Sequence, residues 1–501
     1  MDLYSSSECV KTSASIKRTF KGPHGPRYGS PCHRFGPPTA LFSQPLALLR
    51  YRLDHLELLT PDTSTLERAF ELVAGSVEPF DDESDRELAL RSTLETLLPG
   101  QSDWQQKTVG DSALPYAAWL EGPFTYLILG LKNEQGLAGD PFLQGLVAYG
   151  KVIAQPTVCS LSFLHPTCPP LNQIMQYNPA RRLSNLPVIL LAIAGNILVV
   201  STAIFTNEIY ADKLLLTELY IGPHGSDNVL RIARVFMAIR ESMEKLRELY
   251  GNLLDVPPAL QTVALWPRPT GDPPESTGRL PKLKFFAKVN RADGTPLLSI
   301  DENNENHAMY LARMQIKTST QVEAFTQTVF VKFATKYHEG AHRLLANQVP
   351  PLAPALHFCA PVVGGMYMIV MECIPRSTRR PISSYFSTGG PPGLLQAVER
   401  DVPQALKLLH EKNWVFGDLR APNILYLPGS DGGRVLLVDF DGVGVDGEGR
   451  YSACLNPEAG FCASVERGGL MRKEHDLENL EQLLERLRPK FSKTLPTFCK
   501  A

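Results

Sequence analysis

The stretch from Phe416 to Gly442 constrains this chain more than any other part of it. It reads F-G-D-L-R-A-P-N-I-L, continues into a short apolar run, and ends in D-F-D-G. An aspartate is thus followed by an asparagine five positions later, and a second aspartate comes after a predicted strand. Phosphoryl transfer uses such a set, since one carboxylate orients the attacking hydroxyl while an amide oxygen and another carboxylate hold Mg²⁺. The alternative is that these residues only form turns, where aspartate, proline and asparagine are common.

The spacing D-x-x-x-x-N, then a strand, then D-F-x-G resembles the catalytic core of the protein-kinase-like superfamily. The resemblance implies that Asp418 is the catalytic aspartate and that Asn423 and Asp439 bind magnesium. Two departures from the kinase pattern are visible. Gly417 replaces the arginine of H-R-D, which removes one anchor for a phosphorylated activation loop. The D-F-G motif is one residue longer, and the additional Asp441 is either a second metal ligand or a solvated turn residue.

A strand and a short helix precede this stretch in the order that the resemblance implies. Residues 328–333 alternate and are rich in β-branched and aromatic side chains, which predicts a strand. Lys332 on that strand corresponds to the kinase lysine that binds the α- and β-phosphates, although a solvent-facing lysine is the alternative. Residues 337–346 are predicted to form a helix. On it, Glu339 is the candidate partner of Lys332, and His342, one turn further on, is its rival.

The following segments also occur in kinase-like order. They are strands at 353–358 and 368–374, a helix at 404–411, an activation-segment end at 456–458, and an amphipathic helix from 474. The backbone of Glu372–Ile374 is the expected adenine-binding hinge, and Asp476 is expected to brace the catalytic loop. The expected glycine-rich loop is missing. Asp301–His307 is rich in Asn and acidic residues instead. Acidic side chains there would repel the phosphate groups of ATP, which a glycine-rich loop binds through its backbone N–H groups.

These fragments together resemble the protein-kinase-like family that is abundant in mushroom-forming fungi, over about residues 280–490. The resemblance implies a two-lobed domain that binds ATP and Mg²⁺ and transfers the γ-phosphate to a hydroxyl, most like a Ser/Thr protein kinase. The phosphate acceptor, a protein of unknown identity or a small molecule, stays open. A pseudokinase scaffold without catalysis is the first alternative, because the glycine-rich loop and the H-R-D arginine are absent from the sequence.

Upstream, residues 51–250 are predicted to form a separate α/β domain. Its predicted elements are helices at 63–77, 84–97 and 228–250 and strands at 113–119, 124–132, 188–194 and 197–205. The region resembles a degenerate restriction-endonuclease-like domain, with Asp111 and Lys132 in the positions of nuclease residues and Gln144 and Tyr149 on the next helix. Gly130 stands where the metal-binding glutamate is expected, and Glu134 is the only nearby substitute. A nucleic-acid-processing protein run by this domain is the second alternative.

Composition sets the remaining expectations. The apolar run from Pro187 to Phe205 is long enough to cross a membrane, but Gly195-Asn196 near its middle favours a hairpin of two buried strands. The net charge of −2 gives no reason to expect non-specific nucleic-acid binding. The nine cysteines form no C-x-x-C pair, and we expect a cytoplasmic or nuclear protein without a signal peptide.

The sequence therefore predicts an α+β protein, a two-lobed protein-kinase-like domain preceded by a separate α/β domain. The predicted divisions are a disordered arm at 1–50, the α/β domain at 51–250, a Pro/Gly-rich linker at 251–282 and the kinase-like domain at 283–495.

Overall fold

The computed structural model describes the chain from residue 37 to residue 488 with several gaps. The described ranges are 37–104, 108–109, 112–113, 117–122, 124–133, 140–154, 184–206, 209–254, 266–289, 296–297, 308–316, 325–386, 390–430 and 432–488. The chain divides into two compact units. Unit 1 consists of Met1–Leu280, Ser299–Ala308 and Val362–Gly364, and unit 2 of Pro281–Leu298, Met309–Pro361 and Gly365–Ala501.

Both helices and sheets occur, so the fold is α+β. The helices are α1 (Gln44–Asp54), α2 (Thr63–Ser76), α3 (Glu83–Leu97), α4 (Pro141–Ala154), α5 (Gly225–Leu254), α6 (Glu339–Ala346), α7 (Leu394–Glu411) and α8 (Lys473–Leu487). The strands of unit 1 are β1 (Ser102–Asp103), β2 (Thr108–Val109), β3 (Ser112–Ala113), β4 (Ala117–Glu121), β5 (Phe124–Lys132), β6 (Val188–Ala194), β7 (Ile197–Phe205) and β8 (Ile209–Glu218). The strands that follow are β9 (Leu283–Val289), β10 (Pro296–Leu297), β11 (Met309–Ile316), β12 (Phe325–Ala334), β13 (Leu356–Val362), β14 (Met366–Glu372), β15 (Arg380–Pro381), β16 (Trp414–Val415), β17 (Ile424–Leu427), β18 (Arg434–Leu437) and β19 (Gly444–Val445).

Unit 1 is built on a six-stranded sheet in the order β1-β4-β5-β6-β7-β8. The β5 and β6 strands are parallel and are connected through α4, while the other pairs are antiparallel. Because side chains alternate between the faces of a strand, Ile128 and Leu190 on one face pack with Phe142 of α4. Helices α3 and α5 also contact β5, whose intervening residues Leu127 and Leu129 are fully buried. The central strands β5, β6 and β7 are therefore apolar on both faces.

The apolar run that resembled a membrane segment is a hairpin. β6 and β7 pair from Val188↔Ala203 to Ala194↔Ile197, and Gly195-Asn196 forms the turn, so the hairpin prediction is confirmed. Gly195 has a φ of 55°, a left-handed conformation that glycine adopts without strain. Within the described ranges, no helix combines the length and the apolar character needed to cross a membrane.

Several predicted boundaries in unit 1 are wrong. α1 begins at Gln44 and buries Leu46 and Leu49, so the disordered arm predicted for 1–50 is too long; residues 1–36 lie outside the described ranges. The 251–282 linker is also too long, because α5 continues to Leu254 and Pro274–Arg279 forms a 3-10 helix. Strand β8 was not predicted, since its alternation is weak and its neighbour β7 carries the stronger apolar signal.

Unit 2 begins with an antiparallel sheet in the order β10-β9-β11-β12-β14-β13, with α6 following β12. After it come helices α7 and α8 and a small sheet of β15, β17 and β18. One apolar core joins α6, α7, α8 and the β17–β18 hairpin, and it includes Leu345, Leu406, Phe416, Phe440 and Leu480. This core fixes the F-G-D-L-R and D-F-D-G segments, because Phe416 and Phe440 are each completely buried in it.

Candidate active site

The buried carboxylate of Asp476 holds the backbone of the loop that carries Asp418. Asp476 of α8 is 0% exposed and accepts the backbone N–H groups of Phe416 at 2.7 Å and Gly417 at 3.0 Å. Its Oδ2 also lies 3.0 Å from Nε2 of His410 on α7. The bracing role predicted for Asp476 is thereby confirmed. A buried carboxylate that accepts two backbone N–H groups compensates for lost hydration and fixes the loop.

Gly417 is required by the backbone of this loop. Its φ is 74°, and a Cβ added there would lie 2.5 Å from the carbonyl oxygen of Gly442. Any larger residue is therefore both strained and in collision with the D-F-D-G segment. The close approach of the F-G-D and D-F-D-G segments thus accounts for glycine at position 417.

Asp418 and Asn423 lie in direct contact. The Asn423 Nδ2 donates to Asp418 Oδ2 at 2.8 Å and to the Asp418 carbonyl oxygen at 3.0 Å. Arg420 adds a bidentate ion pair, in which Nη2 lies 2.8 Å from Asp418 Oδ2 and Nε donates to Oδ1. The guanidinium of Arg420 also stacks on the ring of Phe461, 5.1 Å from its centroid. Asp418 is 19% exposed, and each of its carboxylate oxygens accepts at least one hydrogen bond.

Lys332 of β12 pairs with both carboxylates of the D-F-D-G motif. Its Nζ lies 2.6 Å from Asp439 Oδ1 and 2.6 Å from Asp441 Oδ2, although about a hundred residues separate them in the chain. Asp439 has a φ of 72°, an uncommon conformation for a residue other than glycine, and the 3-10 turn Phe440–Gly442 follows it directly. The sequence prediction that Lys332 and Asp439 share a site is in agreement with this geometry.

The predicted pair of Lys332 with Glu339 is wrong in this structure. Glu339 Oε1 instead accepts a hydrogen bond from Nε of Arg343 at 2.7 Å, and both side chains are 44% exposed. Glu339 lies in the first turn of α6 on the solvent side, because the buried face of this helix carries Ala341, His342 and Leu345. The rival His342 points inward, where its Nε2 bonds the Pro354 carbonyl at 2.7 Å.

Burial and neighbouring charges shift the pKa values of the side chains in the site. Burial by itself lowers the pKa of Lys332, but the carboxylates of Asp439 and Asp441 outweigh it and hold that pKa above its usual value. Burial raises the pKa of Asp441 to about 7, against the lowering effect of Lys332. Burial also raises the pKa of Asp418, while the Arg420 guanidinium opposes the rise. The carboxylates of Asp418 and Asp441 are thus better proton acceptors than exposed aspartates.

The hinge predicted at Glu372–Ile374 begins at the last residue of β14. The N–H of Glu372 donates to Ala355 at 2.8 Å, and the carbonyl of Ile374 accepts Arg379 Nε at 2.8 Å. Among the described residues, no hydrogen bond engages the backbone N–H or C=O of Cys373 between them. The acidic segment Asp301–His307, which replaces the glycine-rich loop, lies outside the described residues.

The residues of the site fit a magnesium ion. Within the described part of the chain no three His, Cys, Asp or Glu side chains are grouped as a metal site. The oxygen donors that the motif offers are the carboxylate of Asp439 and the amide oxygen of Asn423, whose NH₂ is oriented toward the Asp418 oxygens. The Oδ1 atom of Asp441 is buried and lacks a hydrogen-bond donor among the described residues. Hard oxygen ligands of this kind suit Mg²⁺.

Of the residues in the nuclease resemblance, the structure describes Gly130, Lys132, Gln144 and Tyr149. Lys132 is buried and pairs with Glu83 of α3 at 2.7 Å, a partner that the sequence did not indicate. A Cβ at Gly130 would lie 3.3 Å from the Pro141 carbonyl, so this position allows the first turn of α4 to pack closely on β5. Asp111 and Glu134 lie outside the described residues. On α4, Gln144 is buried, and Tyr149 donates its hydroxyl hydrogen to the Leu186 carbonyl at 2.7 Å.

Sequence reasoning missed Arg420 and His410. Arg420 was detectable, because it is the one basic residue between Asp418 and Asn423, and a cation two positions from a carboxylate in a tight turn is a natural partner. His410 gave no local signal. Its contact with Asp476 depends on how α7 packs against α8, across 66 residues of sequence.

No protein-family model matches the chain, and no curated protein matches it.

Proposed function

We propose that unit 2 is a kinase-like, two-lobed phosphotransferase that transfers the γ-phosphoryl group of Mg·ATP to a hydroxyl, most like a Ser/Thr protein kinase. The observation that carries the proposal is the convergence of Asp418, Asn423, Asp439 and Lys332. Their types and order were named from the sequence, and in the folded chain Asn423 binds Asp418 at 2.8 Å and Lys332 binds Asp439 at 2.6 Å. If these residues only formed turns, their side chains would have no reason to contact one another.

Each residue has a role that its environment supports. Asp418 accepts a hydrogen bond from the acceptor hydroxyl and orients it, and its buried position makes it a better acceptor than an exposed carboxylate. Asn423 and Asp439 would hold Mg²⁺, and Lys332 would neutralise phosphate charge. Mg·ATP, when bound, supplies the phosphoryl group and further charge neutralisation. The free backbone of Cys373 would accept the adenine.

The test measures nucleotide binding and phosphate release separately in the full chain. Saturating Mg·ATP is expected to stabilise the wild type by about 2–4 kcal/mol, measured by thermal unfolding. Asp418→Asn is expected to keep that stabilisation and to reduce the rate of phosphate release from ATP at least a hundredfold. Asp439→Asn is expected to lose the part of the stabilisation that requires Mg²⁺.

Glu485→Gln is the matched control, because Glu485 is an exposed carboxylate on α8 of the same unit. It is expected to match the wild type in both measurements. Phosphate release by Asp418→Asn at the wild-type rate would contradict the catalytic role of Asp418.

A nucleotide-binding scaffold without transfer is the second candidate. The observation that favours it is the bidentate pair of Arg420 with Asp418, since this cation occupies the carboxylate that should orient a hydroxyl. The same experiment separates the candidates: Mg·ATP stabilisation without phosphate release, in the wild type as in Asp418→Asn, supports the scaffold.

A further inference from the structure

The cation of Lys332 is held from the D-F-D-G turn rather than from helix α6. Both Lys332 contacts go to Asp439 and Asp441, each at 2.6 Å, and Lys332 is only 14% exposed. Asp439 is also the carboxylate assigned to the metal. When Asp439 binds a metal ion, Asp441 is the carboxylate that still pairs with Lys332.

Helix α6 offers no replacement. Its sequence E-G-A-H-R-L-L-A contains one carboxylate, Glu339, and that residue is bound to Arg343 on the solvent side. The inward position is taken by His342, whose ring nitrogens bond the Tyr337 hydroxyl at 2.6 Å and the Pro354 carbonyl at 2.7 Å. An imidazole engaged on both sides cannot pair with a lysine.

The turn that carries Asp441 is fixed on both sides. The ring of Phe440 stacks on His342 with centroids 4.6 Å apart and an interplanar angle of 8°, and Phe416 packs edge-on against it. The carbonyl of Phe440 accepts the His338 N–H at 3.2 Å. Asp441 is thus presented to Lys332 by a buried anchor, as a glutamate on a packed helix would be.

We propose that Asp441, the residue by which D-F-D-G exceeds D-F-G, positions Lys332 for phosphate binding in place of a helix glutamate. This inference rests on the proposed phosphotransferase function. Asp441 acts through Lys332 and is a positioning residue. Asp441 holds the ammonium group of Lys332 on the side of the strand where the nucleotide phosphates would lie. It keeps this role when Asp439 binds the metal ion.

The test compares KM for Mg·ATP and kcat for ATP turnover in the full chain. Asp441→Asn is expected to raise KM about tenfold and to lower kcat less, because a charge-assisted contact to Lys332 is lost. Asp441→Ala is expected to behave alike, and Asp441→Glu to recover most of the affinity. Glu339→Gln, the competing carboxylate, is expected to change KM less than twofold, and so is the neighbouring aspartate variant Asp446→Asn.

A double-mutant cycle shows whether Asp441 acts through Lys332. In a Lys332→Met background, adding Asp441→Asn is expected to cost less than twofold more, because the contact is already gone. Full additivity of the two substitutions overturns the inference, as does a Glu339→Gln variant that loses affinity while Asp441→Asn does not. A wild type that neither binds nor turns over Mg·ATP overturns the proposed function as well, so the two failures are distinguishable.

Discussion

His342 is a neutral residue at a position where a charged one would disturb the site. It is 0% exposed, stacks on Phe440, and is surrounded by Tyr337 and the Pro354 carbonyl. Burial lowers the pKa of His342 from its ordinary value of 6.5 to about 4, with the Pro354 hydrogen bond opposing this change. The ring is therefore uncharged at neutral pH, and the buried stack under the D-F-D-G turn carries no net charge.

This lowered pKa predicts an acid-sensitive stability. The unfolded chain protonates His342 near pH 6.5 and the folded chain only near pH 4, so the unfolded state binds more protons between these values. The contribution of His342 is present above pH 6.5 and is lost as the pH falls toward 4, by at most about 1.4 kcal/mol per pH unit. His342→Phe keeps an aromatic ring but has no proton to gain. The stability gap between wild type and this variant is thus expected to shrink as the pH falls.

Urea unfolding at pH 7.0, 5.5 and 4.5 measures that gap. Tyr337→Phe is the matched comparison, because it removes one hydrogen bond to His342 but keeps the imidazole. It should retain most of the wild-type pH dependence. A gap between wild type and His342→Phe that stays constant over this range would show that His342 does not titrate with a lowered pKa.

At the scale of single elements, the helix starts show what local sequence does and does not specify. The helix lengths of α2 and α3 were predicted within a residue or two from their apolar spacing. Ser64 and Thr65 are also plausible caps of α2 by residue type, but Asp62 caps the helix by accepting the Thr65 N–H at 2.7 Å. Asp, Ser and Thr are all good caps, so a run that contains several leaves the choice to the entry angle of the chain.

Helix α3 allows a matched test of such a cap. The Asp82 carboxylate accepts the N–H groups of Ser84 at 2.8 Å and Asp85 at 3.0 Å, while the adjacent Asp81 is exposed and forms no hydrogen bond among the described residues. Asp82→Ala is expected to lower the free energy of unfolding of unit 1 by about 1 kcal/mol. Asp81→Ala removes the same charge and is expected to lower it by less than about 0.5 kcal/mol.

Urea denaturation followed by circular dichroism measures both variants. Equal losses in the two variants would mean that net charge, and not the cap, stabilises the start of α3.

At the scale of the whole molecule, the sequence predicts the helices and strands better than the side-chain contacts between them. The sequence pattern singled out Asp418, Asn423 and Asp439 because their spacing is local, and β6, β7 and β5 were predicted to the residue because both their faces are apolar. The partner of Lys332 was not predictable. It depends on the left-handed backbone of Asp439, with a φ of 72°, and on the rotation of α6 about its axis, and neither leaves a local pattern. The pair of Lys132 with Glu83 was missed for the same reason, since packing of α3 on β5 brings them together.

The division into units predicts where a nucleotide acts. In hydrogen–deuterium exchange of the full chain, Mg·ATP is expected to slow exchange around Lys332 and Asp439 and to leave β6 and β7 unchanged. Asp439→Asn, which removes a proposed metal ligand, should abolish most of the slowing. Slower exchange confined to unit 1 would show that the nucleotide binds to unit 1, which contradicts the proposal.

The hairpin of β6 and β7 has a consequence for synthesis on the ribosome. Its strands are buried along nearly their whole length, and one of the two helix layers that cover its sheet, α5 (Gly225–Leu254), is translated only after the hairpin is complete. For that interval the emerging chain displays two adjacent β-prone apolar segments with an uncovered face, the type of sequence that pairs with other nascent copies. Slow decoding between residues 206 and 254 would prolong this exposure, so the yield of native protein should depend on translation speed and on chaperones that bind extended apolar chains.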